Sequence, residues 1–184
     1  MHDQRENHTA HHALSEQVDA RDGTTNVEWV LNAWIDKGAA PSKLTLGLAA
    51  YGRHFSLLNQ SEQYYGAPCQ KQDNGYYAGR PGLTGEFRLA YYEICEKINE
   101  QGWKREWLSE SDVYARGEGE WVGYDDTQSI RTKVNQAHAA GVAGLTWRLL
   151  DLDDFRGDFC GQGRFPLLTA SRDALLGTVS KLII

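Results

Sequence analysis

A phenol and a guanidinium stand together where an apolar stretch of the chain ends. In the segment KLTLGLAAYGRHFSL, apolar leucines precede Tyr51, Gly52 and Arg53. Tyr51 offers a hydroxyl and a ring, Arg53 offers a fork of donors, and Gly52 leaves room for close backbone approach. These types suit a ligand with polar groups and an apolar face. The alternative is that Arg53 only pairs with a carboxylate of the protein.

Carboxylates follow a second apolar stretch in the same way. The segment VAGLTWRLL leads directly into Asp151, Asp153 and Asp154. In parallel α/β folds the ligand sites lie at the carboxyl ends of the strands. The two apolar stretches therefore predict one shared edge that carries Tyr51, Arg53 and the aspartates.

The elements that position these residues can be predicted from patterning. Asn26 is an N-cap candidate for a helix that runs to Gly38. Within the segment 43–57, the strand that precedes Tyr51 is apolar at consecutive positions, which favours a strand covered on both faces. Further helices are predicted at 87–102, 127–141 and 165–179, with a second covered strand at 142–150. Between the first two of these helices, two short strands joined at RGEGE form a predicted hairpin.

Composition narrows the functional classes. The chain has 184 residues and a net charge of -6, so we expect no nucleic-acid partner, and no apolar run reaches the length of a membrane helix. Residues 1–25 are polar and rich in histidine and are predicted to be loop or disordered, without a secretory apolar region. We expect no metal or cofactor. Cys69, Cys95 and Cys160 fit no zinc spacing and leave open buried thiols or one disulfide with a third cysteine outside it.

Several segments in unbroken order resemble family 18 of the glycoside hydrolases, the chitinases and chitinase-like lectins. They are GAAPSKLTLGLAAYGRHFSL, LAYYEIC, WVGYDD, GVAGLTWRLLDLDDFRG and CGQGRFPLL. The resemblance implies an α/β fold: the C-terminal portion of a (β/α)8 barrel, strands seven and eight, with an inserted small α+β domain. It also implies a ligand, chitin or its β-1,4-linked N-acetylglucosamine oligomers.

The resemblance carries residue roles with it. It implies that Tyr51 and Arg53 line the sugar groove, that Trp147 is a sugar platform and that Glu86 faces the groove from the insertion domain. It further implies a disulfide between Cys95 and Cys160. The sequons opened by Asn7 and Asn59 can be glycosylated in a secretory compartment, and the implied disulfide favours an extracellular protein.

Two departures from the family pattern limit what the chain can do. The catalytic signature DxxDxDxE occurs nowhere in the sequence, so the chain alone lacks the acid and the aspartate that family hydrolysis requires. The tryptophan that ends strand eight in the family falls on Arg148 when aligned without gaps, with Trp147 one place earlier. A one-residue slip turns a side chain to the other face, and a bulge restores it.

The predicted domain organisation follows. Residues 26–58 and 126–184 are expected to form the partial barrel units and residues 59–125 the insertion domain. Three readings of function remain: part of an active chitinase whose catalytic acid lies on other sequence, a non-catalytic chitinase-like lectin, and a truncated product without independent activity. Two barrel units alone leave apolar faces and strand edges uncovered. Oligomeric state is not predicted.

Overall fold

The fold is a mixed α/β arrangement with two separate sheets. The computed structural model describes residues 26–69 and 88–177, so the predicted N-terminal segment 1–25 lies outside the described residues. In chain order the helices and strands are α1 Val27–Asp36, β1 Thr45–Ala49, β2 Tyr51–Ser56, β3 Arg88–Ala90, α2 Tyr91–Glu100, β4 Lys104–Ser109, β5 Asp112–Gly117, β6 Glu120–Tyr124, α3 Thr127–Ala139, β7 Gly144–Arg148 and α4 Pro166–Leu175.

The two sheets differ in the direction of their strands. Strands β1 and β7 form a parallel pair, and the other five form an antiparallel sheet in the order β3-β2-β6-β5-β4. Helix α3 packs on β1, and α4 packs on α3. No helix in the described part of the chain has the length and apolar character to cross a membrane.

The apolar strand predicted before Tyr51 is confirmed as β1, and a second strand that the sequence did not predict, β2, begins at Tyr51 and belongs to the other sheet. The chain bends at Ala50, whose N–H donates to the carbonyl of Arg148 at 3.2 Å and whose carbonyl accepts from the N–H of Tyr91 at 3.0 Å. Beyond the bend, β2 pairs with β3 and β6. Gly52 permits this close pairing, because a Cβ there would lie 2.5 Å from Cγ2 of Val122.

The expected covering of both strand faces is wrong. Within β1 only Leu48 is buried, and no residue of β7 is fully buried. A strand is covered twice when layers pack on both of its sides. Among the described residues, helices cover one side of this pair and leave the other side exposed.

The predicted helices are confirmed, with one difference in how they pack. The side chain of Asn26 accepts from the N–H of Trp29 at 2.8 Å and caps α1, as the sequence predicts. The apolar face of α1 does not reach the core: Trp29, Val30 and Trp34 are 47%, 45% and 58% exposed. In α3, by contrast, the apolar positions are fully buried, because β1 and α4 cover them.

The predicted hairpin is confirmed at RGEGE, and its sheet has three further strands, β2, β3 and β4, that the sequence did not predict. Glu118 and Gly119 have φ values of 55° and 77°, which suits the two-residue turn joining β5 to β6. Of these, β4 pairs with β5 across a register shift near Trp107 and Ser109.

A disulfide joins the two sheet regions. Cys95 in α2 and Cys160 in the loop after β7 are bonded, with their Cα atoms 5.0 Å apart. This is the pair that the family resemblance implied. Cys69 carries a buried thiol whose Sγ lies 3.4 Å from the carbonyl oxygen of Ala67. The main core lies between α2, the antiparallel sheet and α3.

Candidate functional site

The exposed face of the site begins on β1 and continues into β2. Side chains alternate between the faces of a strand, and the residues on the core side are Leu48, Ala50, Gly52 and His54, all buried. The opposite face carries Thr45, Gly47, Ala49, Tyr51 and Arg53, which are exposed or half-buried. The bend at Ala50 preserves this alternation. Tyr51 and Arg53 therefore share one accessible face at the carboxyl end of β1.

A second arginine stands directly beside Arg53. In the antiparallel pairing of β2 with β3, Arg53 lies opposite Arg88 and Tyr51 lies opposite Ala90. The guanidinium carbon of Arg88 lies 4.8 Å from the centre of the Tyr51 ring, in the geometry of a cation–π contact. Sequence reasoning missed Arg88, because nothing in its local pattern tells which strand it pairs with.

The environment of Arg53 bears on its role. Its side chain is exposed, and no carboxylate in residues 26–69 or 88–177 forms an ion pair or hydrogen bond with it. A structural ion pair would need such a carboxylate, so the described part of the chain does not support that role for Arg53. Its donors are therefore available to a ligand or to further protein.

The register of the parallel pair decides which faces Trp147 and Arg148 occupy. Trp147 lies beside Leu48 and Arg148 lies beside Ala49. Trp147 packs against the main core, and its indole Nε1 is buried without a hydrogen-bond partner. Arg148 is exposed and shares the face of Ala49 and Tyr51. The side chains of β7 therefore alternate as the gapless alignment predicts, and no β-bulge moves the Trp147 indole to the exposed face.

Two of the three aspartates after β7 accept hydrogen bonds from backbone N–H groups of the protein. The Asp154 carboxylate accepts from the N–H groups of Gly157 at 2.7 Å, Phe159 at 3.1 Å and Cys160 at 2.9 Å. Asp153 accepts from the N–H of Leu168 at 3.1 Å, in the first turn of α4. Both are fully buried, and burial raises the pKa of the Asp153 carboxyl above its usual value. These two side chains shape the loop, while Asp151 stays exposed.

Aromatic rings lie between this loop and α2. Tyr92 contacts Phe159 at 5.4 Å and meets Phe155 edge-on at 6.2 Å between ring centres. Burial is the main cause that raises the pKa of the Tyr92 hydroxyl, with nearby carboxylates such as Asp151 adding to it. Phe155 is 39% exposed, so one side of this aromatic cluster is accessible. Sequence analysis assigned neither Tyr92 nor Phe155 to the site.

The remaining predicted site residues divide by position. Glu86 and Asn7 lie outside the described residues. Asn59 is exposed, and its Oδ1 accepts from the hydroxyl of Ser61 at 2.7 Å and from its N–H at 3.1 Å. The sequon at Asn59 is therefore on the surface, as glycosylation requires.

The fold and the site together define a mixed α/β protein whose exposed polar groups follow the end of a parallel strand. The profile of Glycosyl hydrolases family 18 matches residues 1–153. The chain belongs to this family.

Its relatives are chitinases and chitinase-like proteins. Mouse chitotriosidase-1 is 37% identical over 82% of this chain and 31% of its own length. Among solved structures, the Ostrinia furnacalis Group II chitinase catalytic domain 2 superposes with a TM-score of 0.83 at 34% identity, over 96% of this chain and 46% of that one. Human YKL-39, described as a pseudo-chitinase with retained chitooligosaccharide binding, gives 0.81 at 32% identity, over 94% and 46%. The chain thus spans less than half of these relatives.

Proposed function

We propose that this chain contributes to a saccharide-binding groove in a chitinase-like protein and that its ligand is a β-1,4-linked N-acetylglucosamine oligomer. Tyr51 and Arg53 are the contacts. The observation that carries the proposal is their position: they share an exposed face at the end of β1, and Arg53 has no carboxylate partner among the described residues. Relatives that bind chitooligosaccharides support the ligand class.

The fold that we propose around this groove is a partial barrel with an insertion. Strands β1 and β7 supply strands seven and eight of a (β/α)8 barrel, within residues 26–58 and 126–184, and residues 59–125 supply the insertion domain. The parallel pairing of β1 and β7 with helices on one side supports this arrangement. Because β2 pairs in the antiparallel sheet, we place the start of that sheet at Tyr51.

A non-catalytic lectin is the favoured form of this function. Arg148 occupies the exposed face beside Ala49, where the family resemblance leads us to expect the aromatic platform. A guanidinium there offers donors, whereas an indole offers a ring for stacking. An active chitinase whose acid lies on other sequence remains the second candidate, since chitinases are among the relatives. Secretion fits both candidates, because the chain has a disulfide.

The contact role of Arg53 can be tested by calorimetry with chitohexaose. We expect Arg53→Ala to weaken binding by about 1–3 kcal/mol, the range for a hydrogen bond that involves a charged group. The melting temperature should change little, because the side chain is exposed. Arg131→Ala, on the exposed side of α3, is the matched control and should bind like the parent. Unchanged affinity with a large fall in melting temperature would show that Arg53 is structural.

A further inference from the structure

We infer that the chain carries a second saccharide site, which takes the N-acetyl group of a neutral sugar and lies on the opposite side of the antiparallel sheet from the groove. The site is a recess between α2, this sheet and the loop after β7. We call it the disulfide recess, because the Cys95–Cys160 bridge forms part of its wall; its other lining residues are Tyr91, Ile98, Asn99, Arg105, Tyr124 and Gln162. None of them belongs to the groove, so the inference stands apart from the proposed function.

Strand register places the disulfide recess and the groove on opposite sides of the sheet. Side chains alternate along β2, so the Cα–Cβ direction of Gly52 is opposite to that of Tyr51. A Cβ added at Gly52 would lie 2.8 Å from the Cβ of Tyr124, which therefore shares the side of Gly52. Val113 of β5 is the register partner of Tyr124 on β6 and of Trp107 on β4, and paired residues share a face. Tyr124 and Trp107 thus lie on one side and Tyr51 on the other.

The disulfide recess offers hydrogen-bond donors that the protein leaves unused. The Tyr124 hydroxyl is buried, and within the described residues no group reaches it in hydrogen-bond geometry. Burial is the main cause that raises the pKa of this hydroxyl above its usual value, with Asp126 adding to the rise and Arg105 opposing it. The Oε1 atom of Gln162 accepts from the Tyr91 hydroxyl at 3.0 Å, so the Gln162 amide nitrogen is a further donor. A ligand that brings an acceptor oxygen removes the cost of the unsatisfied hydroxyl.

The charges around the disulfide recess favour a neutral ligand over an anion. Arg105 Nη1 lies 3.8 Å from Asp126 Oδ2, so the carboxylate offsets the charge of the guanidinium. An amide carbonyl is a neutral acceptor, and a methyl group attached to it suits the apolar wall formed by Ile98 and the disulfide. An N-acetyl group supplies both the carbonyl oxygen and the methyl group.

An aromatic platform for the sugar ring lies beside the disulfide recess. Trp107 is 39% exposed, and the guanidinium carbon of Arg105 lies 6.0 Å from the centre of its ring. Strand β5 separates the strands of Trp107 and Tyr124, so two spacings of about 4.8 Å put their backbones about 10 Å apart. An acetyl group alone does not cover this distance. A sugar that places its N-acetyl group in the recess can extend towards the indole and stack its apolar face there.

An NMR titration of the isotope-labelled protein tests this site, with N,N′-diacetylchitobiose as the probe and cellobiose, which lacks the N-acetyl groups, as its matched control. The indole signal of Trp107 is identified by its loss in Trp107→Ala, and we expect it to shift with diacetylchitobiose and not with cellobiose. Tyr124→Phe should weaken the binding about three- to tenfold, because it removes one hydroxyl. Its melting temperature should not fall, since that hydroxyl has no partner in the described part of the fold.

Two further variants separate this site from the groove and from exposed tryptophans in general. Arg53→Ala should leave the Trp107 shift within about twofold of the parent, because Arg53 lies on the other side of the sheet. Trp34→Ala removes an indole that is 58% exposed on α1 and should have no effect. Sodium acetate, a small anion, should neither shift the Trp107 signal nor compete with the disaccharide.

Each outcome supports or overturns the inference. A shift of Trp107 that Tyr124→Phe weakens and Arg53→Ala retains supports it. Equal binding of cellobiose, or binding by Tyr124→Phe that equals the parent, overturns it. If diacetylchitobiose moves other signals and not that of Trp107, or if Arg53→Ala abolishes the shift, the binding lies in the groove; the inference then fails and the proposed function stands. Competition by acetate would assign the disulfide recess to an anion and overturn our choice of a neutral group.

Discussion

Removing the disulfide should destabilise the protein more than any single side-chain change in the groove. The variant is Cys95→Ala with Cys160→Ala. The bridge closes a loop with a sequence separation of 65 residues. In the chain-entropy relation this loop length corresponds to about 4 kcal/mol of stabilisation, because the bridged unfolded chain has fewer conformations to lose.

The position of the bridge shows which contacts remain when it is removed. It joins α2 to the loop after β7, where Asn99 Nδ2 donates to the carbonyl of Phe159 at 2.9 Å and the Tyr91 hydroxyl donates to Gln162 at 3.0 Å. These contacts survive the substitution, so the interface should persist in the folded state. The loss should therefore appear mainly in the free energy of unfolding.

Urea unfolding followed by tryptophan fluorescence measures this loss. A loss of about 4 kcal/mol corresponds to a fall in melting temperature of about 8–16 °C for a chain of this size. Cys69→Ala is the control and should cost only its own packing, about 1 kcal/mol. A double variant within about 1 kcal/mol of the parent, or a nonreduced peptide map that links Cys69, would refute the reasoning.

Three further outcomes are expected. Gly52→Ala should destabilise the protein by about 1–3 kcal/mol in urea unfolding, because the new Cβ would meet Val122 at 2.5 Å and the Gly123 carbonyl at 2.8 Å; a neutral effect would contradict the close pairing of β2 and β6. Tyr114→Phe should cost about 0.5–1.5 kcal/mol by removing the hydrogen bond to Glu106 at 2.6 Å. That bond is the main cause that lowers the pKa of Glu106 from 4.5, so its stabilisation is present above this pH and is lost as pH falls further; a loss independent of pH in melts would count against it. The chain alone should not release a fluorophore from a chitobioside above background, since DxxDxDxE is absent; activity abolished by changing one of its carboxylates would disprove this.

The sequence predicted the helices and the hairpin well because their signals are local. Asn26 caps α1, and the glycine-containing turn at Glu118 and Gly119 depends on neighbouring residues alone. The break at Ala50 could not be predicted in this way, because the pairing of β2 with β3 and β6 involves residues far along the chain. Apolar runs also failed to predict burial in β1 and β7, since burial depends on which layers are present to cover them.

The sequence indicated the kind of site, a polar face at the end of an apolar strand, but identified only some of its residues. Tyr51 and Arg53 follow an apolar run, as predicted, and in the structure they lie on one accessible face. The alternation of strand faces left open which of Trp147 and Arg148 lies on the exposed face, and the register of β7 with β1 shows that Arg148 does. Arg88 could not be foreseen, because its neighbour across the sheet is set by pairing over a long stretch of chain.

The carboxylate of Asp154 has a consequence for oxidative folding. Three cysteines allow three different pairs, and the native one requires Cys160 to meet Cys95 before either meets Cys69. By accepting the N–H of Phe159 and of Cys160, Asp154 holds the backbone that leads into Cys160 in one conformation. A thiol presented in this way has a raised effective concentration towards its partner. We therefore expect Asp154 to favour the native pairing during oxidation, although it forms no part of the bridge itself.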